Sequence, residues 1–341
     1  MAVTLRSFAK INFGLAIGPS RPDGYHALAT VYQTIALHDL VSVTAKRVAT
    51  TSIALTSNDE RVPTDSRNTA WKMVERALAV LGLTAEVEIH IEKRLPVQGG
   101  LGAGSANAAA ALLGLERELG VALSSDDRLR VAAEVGSDVP LFLLGGAVLG
   151  VGRGEEVSPL ADVPAIPCVV AVPDVGVSTP AAFREWDARH SALTPEASAD
   201  RLSMLSRSVS AAWGQPHSSG VSWSMPSGLV GPKDYVSAKG DLAETPLLAL
   251  VRTGIANDFE EVVFAQYPSL ADIVRVLAAS DQTGDAALYA ALSGSGSALF
   301  GLYASKEAAD RAAERLRNRG IVALRTETLP REQYWRTMWM N

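Results

Sequence analysis

A single cysteine stands in the 341 residues. No disulfide can form within the chain, which suits a reducing compartment. That residue, Cys168, lies in the apolar run Ile166-Pro167-Cys168-Val169-Val170-Ala171-Val172 and reads as a small buried hydrophobe rather than a reactive thiol. Histidines are few, five in all, and none shows metal-ligand spacing, which disfavours a structural zinc site. No run of lysine and arginine interleaved with aromatics appears, and the formal net charge is −6. Both argue against nucleic acid as a partner. Long hydrophobic runs are missing as well. The most apolar window, 139–152, is glycine-rich and shorter than the roughly 20 residues a membrane span requires. Residues 1–8 carry neither the apolar stretch of a signal peptide nor the Arg/Ser-rich lead of a transit peptide. The expectation is a soluble cytoplasmic protein with no membrane partner. Nothing in the sequence sets its oligomeric state.

What is present is the composition of a globular chain, 48% hydrophobic and 20% charged, long enough for two domains. Strand-like and helix-like patterns alternate, so the class is α+β. Residues 3–17 read as strand, followed by a turn cluster at 18–24. Ser66 reads as an N-cap, with Trp71, Val74, Leu78 and Leu81 on one helical face beyond it. Val87, Ile89 and Ile91 alternate with charged and polar neighbours, the mark of a half-buried strand. A glycine-rich turn at 99–104 then leads into an alanine-rich helix from Ser105 to about Leu119, closed by Gly120.

Prolines 159, 164 and 167 suggest a boundary near residue 160, dividing the chain into 1–160 and 161–341. The second half reads as strand (169–172), helix (180–190), helix (269–279), an undecided segment (286–292), strand (298–303), helix (305–319) and strand (321–326). This is part of a split β-α-β, ferredoxin-like pattern. Residues 191–244, rich in Ser, Gly and Pro, read as a long surface insertion.

Several residues could carry chemistry. A glycine turn followed by a helix N-terminus lets backbone N–H groups approach phosphate oxygens. The turn at 99–104 is not a Walker A loop, because no Gly-Lys-Ser/Thr ends it, and its glycine spacing misses the dinucleotide fingerprint. Lys10 and Asn12 sit in an apolar strand and need partners there. Asp138, just before an apolar run, reads alone as a cap. Tyr25 and His26 follow a tight turn and pair an aromatic face with a hydrogen-bonding ring, suited to a base or to ordinary packing. Residues 292–298, Leu-Ser-Gly-Ser-Gly-Ser-Ala, form a second glycine-rich turn that a plain hairpin would also explain.

The order of these pieces resembles the three signature motifs of the GHMP kinases. The run Pro96-Val97-Gln98-Gly99-Gly100-Leu101-Gly102-Ala103-Gly104-Ser105-Ala106 is similar to that family's phosphate loop, and residues 292–298 to its third motif. Within the superfamily, the runs 9–12, 21–26, 136–140, 150–155, 177–180 with Phe183, and 257–260 resemble the group that acts on diphosphocytidyl-methylerythritol. The resemblance implies a two-domain fold, N-terminal ribosomal-protein-S5-domain-2-like and C-terminal ferredoxin-like. It implies ATP with Mg as cofactors, a cytidine diphosphate methylerythritol substrate, and phosphorylation of its 2-hydroxyl. Asp138 would be the catalytic base and Lys10 its charged partner. Asn12 would hold the methylerythritol end, Tyr25 and Phe183 would sandwich the cytosine, His26 would read its edge, and Tyr32 would line the pocket. Asn68 would lie near the adenine. The 96–106 loop would hold the nucleotide, with Gly100, Gly102, Gly104 and Ser105 cradling its triphosphate. Thr69, Ala103 and Ala106 depart from the commoner Leu, Gly and Ser of the family. A homoserine- or mevalonate-type kinase of the same superfamily, or a silent nucleotide-binding relative, stands as the alternative.

Overall fold

The computed structural model describes residues 2–97, 99–213, 245–279 and 284–340. Two sheets organise them. The first runs in the order β11-β1-β2-β4-β3, from Trp339–Met340, Val3–Ser20, His26–Arg47, Ala85–Glu92 and Ser52–Ser57. Two further strands, β5 (Ala147–Val151) and β6 (Glu156–Pro159), extend it from β2. The second sheet is antiparallel and four-stranded, ordered β10-β7-β9-β8, from Val322–Glu327, Pro167–Val172, Leu299–Leu302 and Tyr289–Leu292. With helix α9 (Lys306–Arg317) between β9 and β10, this is the ferredoxin-like split β-α-β arrangement.

Strand β1 joins the two halves. Its odd positions Ala9, Ile11 and Phe13 enter a core shared with Val170 of β7 and Phe300 of β9. The even positions Lys10 and Asn12, pointing the other way by the period of two, reach the site described below. The register against β2 shifts between Asn12 and Leu15, where Gly14 takes a φ of 90°. A side chain there would strike Ile255.

Helix α1 (Thr69–Leu81) starts two residues later than the Ser66 reading. Its cap is Asn68, whose side-chain oxygen accepts from the Ala70 N–H, and residue 66 lies outside the helix. Helix α2 (Ala103–Leu119) is buried continuously from Ala106 to Glu116 between α1 and the first sheet. Alanines suit this because they let backbones approach closely. At Gly114 even one Cβ would come within 2.7 Å of Val43.

One further reading is corrected, and two points left open are resolved. Of the undecided segment 286–292, only Tyr289–Leu292 forms a regular element, strand β8. The expected insertion is not all excursion, because Pro195–Trp213 forms helix α5 with Leu205 and Val209 buried against β1. A sparse stripe at 202, 205 and 209 was hidden by the serines around it. The rest of that segment, 214–244, lies outside the described residues. The C-terminal residues return to the first sheet: β11 pairs with β1, and Tyr334 and Met338 of α10 (Arg331–Met338) join the first core. Among the described residues no helix is long and apolar enough to cross a membrane. Cys168 is buried, and burial pushes its thiol pKa up.

Candidate active site

Lys10 emerges from β1 nearly fully buried. Its ammonium donates to Asn12 Oδ1 at 2.7 Å and lies 3.4 Å from Asp138 Oδ2. Asn12 in turn donates to the Thr30 hydroxyl, which donates to the Gly14 carbonyl. A buried ammonium is costly unless paired, and this relay supplies the pairing. Asp138 sits in the turn between α3 (Ser125–Val135) and the 3-10 turn Pro140–Leu143. It caps nothing: Oδ1 accepts from the Tyr32 hydroxyl at 3.0 Å, and the side chain remains 31% exposed. It is the half-open member of an otherwise closed cluster.

The glycine turn lies over this cluster. The Lys10 N–H donates to the Leu101 carbonyl. Gly102, the N-cap of α2, has a φ of 70° and no side chain caps the helix behind it. The first-turn N–H groups of a 17-residue helix therefore face outward without a side-chain partner, a setting that favours an anion. Ser105 stands in this first turn. The clearance at Gly102 has a second cause, since a Cβ there would come within 2.9 Å of Phe142 and 3.0 Å of Lys10.

The turn at 293–298 is a hairpin between β8 and β9, and it also docks on the glycine turn. Ser293 donates its hydroxyl to the Gly100 carbonyl, and the Ala298 N–H donates to the Gly99 carbonyl. A side chain at Gly100, whose φ is 72°, would overlap the Ser293 carbonyl. Asn257, almost fully buried, donates to the carbonyls of Leu292 and Gly294. Glu260 accepts from the Leu292 N–H, and burial raises its pKa. Beside these turns lies a cleft lined by Gly100, Val177, Thr179, Pro180, Ser295 and Gly296.

The aromatic residues lie toward the far end of β1. His26 stacks on Phe183 of α4 (Thr179–Arg189), with ring centroids 5.1 Å apart and planes 6° from parallel. Its Nε2 is 2.7 Å from Asp187 Oδ1 and 3.0 Å from the Ser20 hydroxyl. Burial lowers the His26 pKa, outweighing the pull of Asp187, so the ring is neutral at pH 7. The Nε2–H form then donates to Asp187 and leaves Nδ1 as an acceptor. Phe183 also meets Phe259 edge-on. Tyr25 stands apart, 55% exposed, with the Arg153 guanidinium 5.0 Å from its ring.

Two profiles match the chain: GHMP kinases N terminal domain over residues 68–146, and GHMP kinases C terminal over 241–322. A 4-diphosphocytidyl-2-C-methyl-D-erythritol kinase of Solibacter usitatus is 36% identical over 92% of this chain and 84% of its own length. One of Geobacter metallireducens is 32% identical over 95% and 98%. The chain belongs to the 4-diphosphocytidyl-2-C-methyl-D-erythritol kinase family. A crystal structure of a 4-(cytidine 5'-diphospho)-2C-methyl-D-erythritol kinase superposes with a TM-score of 0.65 at 28% identity, covering 95% of this chain and 98% of that one. A homoserine kinase from Cytophaga hutchinsonii shares the fold, at a TM-score of 0.63 and 17% identity over 96% and 95%.

The expected site residues of a GHMP kinase thus fall into two groups. Lys10, Asn12, Tyr32, Asp138 and the glycine turn meet directly, whereas Tyr25 and Phe183 do not touch each other as rings. Asn68 has both ends of its amide engaged, Oδ1 by the Ala70 N–H and Nδ2 on the Pro63 carbonyl. Its neighbour Thr69 donates to the Gly104 carbonyl at 2.7 Å, tying α1 to the loop. Thr30, Asn257, Asp187 and Arg153 belong to the arrangement without having been singled out. Asn257 and Arg153 stand inside runs matched to the family, yet only the folded chain shows that one clamps a loop and the other faces Tyr25. Thr30 and Asp187 carry no local signal. Among the described residues no group of three or more His, Cys, Asp or Glu side chains converges to hold a metal.

Proposed function

We propose that this kinase transfers the γ-phosphoryl group of ATP to the 2-hydroxyl of 4-diphosphocytidyl-2-C-methyl-D-erythritol, a cytoplasmic step of non-mevalonate isoprenoid biosynthesis. The observation that carries the reading is Lys10 and Asp138 paired beneath a helix N-terminus that no side chain caps. Nucleotide binding alone would need the helix end and not the Lys10–Asp138 pair.

In this reading the triphosphate lies against the first turn of α2. The N–H groups and helix dipole there, with the Ser105 hydroxyl, favour its charge. The acceptor oxygen attacks the γ-phosphorus, the bond to the β-γ bridging oxygen breaks, and ADP leaves. Asp138 takes the proton of the attacked hydroxyl through the side of its carboxylate that is open to solvent. Such a base contributes about 10²- to 10⁴-fold. Lys10, fixed by Asn12, favours the ionised carboxylate and offsets charge on the transferred group. Little covalent chemistry falls to the protein in phosphoryl transfer, so rigid placement is the main requirement. Magnesium, when bound, neutralises phosphate charge. It would be held mostly by phosphate and water, in keeping with its reluctance to dehydrate.

The cytosine would enter between Tyr25 and Phe183, with His26 offering Nδ1 to its edge. The Arg153 guanidinium, beside the Tyr25 ring and paired with Glu155, would favour the substrate's diphosphate. The test is a coupled ADP-release assay across the cytidylylated alcohol, homoserine and mevalonate, with the product's phosphate position read by phosphorus NMR. Turnover of the cytidylylated alcohol alone is expected. Turnover of homoserine or mevalonate in its place would overturn the reading.

A further inference from the structure

Tyr32 stands in the middle of β2, 2% exposed, and its hydroxyl is sealed from solvent by the ring's own surroundings. A buried phenol needs an acceptor, because an unmet hydroxyl pays its full desolvation cost. The acceptor within normal hydrogen-bonding distance is Asp138 Oδ1 at 3.0 Å; the Gly154 carbonyl, at 3.5 Å, is marginal. Burial, followed by the nearby Asp138 charge, pushes the phenol pKa well up, so the hydroxyl stays protonated and serves as the donor.

The run at 150–154 shows that this ring has a prepared seat. A Cβ at Gly150 would come within 2.5 Å of the Tyr32 ring edge, and one at Gly154 would overlap the hydroxyl itself. Gly154 also has a φ of 101°, a conformation other residues resist. Two glycines thus open a notch from the β5–β6 side that accepts a tyrosine with its oxygen aimed at Asp138. Rotation about the last side-chain torsion of an aspartate is soft, so a carboxylate tethered only by Lys10 at 3.4 Å would not hold one orientation.

We propose that Tyr32 is a positioning residue: seated by Gly150 and Gly154, its hydroxyl holds the Asp138 carboxylate in the orientation from which it takes the substrate's proton. This rests on the assignment of Asp138 as base and gives Tyr32 a part different from lining the substrate pocket. With Tyr32 on Oδ1 and Lys10 beside Oδ2, the carboxylate plane is fixed at both oxygens. The Asp138 side chain is still 31% exposed.

The test is Tyr32→Phe, which removes one oxygen and keeps the ring in its notch. The expected result is a kcat about 10-fold lower, with KM for ATP and for the cytidylylated alcohol each within about twofold, the pattern of an interaction used in the transition state. In an Asp138→Asn background, Tyr32→Phe should change residual turnover by less than about twofold, because the two act as a unit. Gly154→Ala, which presses on the hydroxyl without removing it, should lower kcat in the same Asp138-dependent way. A Tyr32→Phe enzyme with wild-type kcat would reduce Tyr32 to apolar lining and overturn the proposal. So would a rise in KM for the alcohol at constant kcat, or an equal loss in both backgrounds. An Asp138→Asn enzyme of near-normal turnover would instead remove the base assignment underneath it.

Discussion

The two ends of the site are built differently. At the phosphoryl end most polar side chains are tied to other stretches of chain: Lys10 to Asp138, Asn12 to Thr30, Ser293 to Gly100, Asn257 to Leu292 and Gly294. Four separate stretches of chain meet there through backbone carbonyls, and glycines stand where a side chain would collide. At the aromatic end the residues make looser pairs. His26 lies flat on Phe183 and leans on Asp187, which is itself half exposed, while Tyr25 points into solvent beside Arg153. Transferring a phosphoryl group demands placement before the substrate arrives, because reorganisation at the moment of reaction raises the barrier. Holding a flat base demands only two faces and an edge, which can close around it. The contrast implies that the first end sets turnover and the second sets affinity.

That division can be broken most sharply at Asp138. Asp138→Asn should lower kcat by about 10²-fold or more while leaving ATP affinity, measured calorimetrically with a non-hydrolysable analogue, unchanged. Lys10→Ala should also lose kcat, and the two losses should not add. At the other end, Phe183→Ala should raise KM for the cytidylylated alcohol about 10- to 100-fold, the equivalent of roughly 1–3 kcal/mol of stacking, with KM for ATP unmoved. A loss confined to kcat in that variant would erase the distinction between the ends.

The smallest effect concerns pH. Burial holds the His26 pKa below 6.5, so its ring stays neutral from alkaline pH down to about that value and protonates only below it. Protonation removes Nδ1 as an acceptor. KM for the cytidylylated alcohol should therefore be flat above about pH 6.5 and rise only as the pH falls below that range and the ring protonates, with KM for ATP flat throughout. His26→Gln, which cannot titrate, should abolish that rise. A rise that persists in the variant would assign it to another group.

The motifs were legible where a local pattern has one meaning. A glycine turn before an alanine-rich helix gave the loop and α2, and alternation at 87, 89 and 91 gave β4. Less was visible where tertiary contact decides. The serine-rich stretch hid α5, whose apolar stripe makes sense only against β1. Asn68 rather than Ser66 caps α1, because the turn after Asp65 delivers Asn68 to the helix start. Gly102 read as clearance for phosphate, and the structure shows Phe142 and Lys10 behind it as well. Thr30, Asp187 and the notch at Gly150 and Gly154 act across strands, at separations that no window along the chain spans.

The central claim is that one end of the site transfers phosphate and the other recognises a cytidine. The most direct measurement is the ratio of kcat/KM for 4-diphosphocytidyl-2-C-methyl-D-erythritol to that for methylerythritol phosphate without the cytidine, on the wild-type enzyme. A site whose hydrogen-bonding groups are left unpaired by the smaller alcohol should discriminate by about 10³-fold or more, most of it in KM. Equal kcat/KM for the two alcohols would contradict the account and return Tyr25, His26 and Phe183 to ordinary packing.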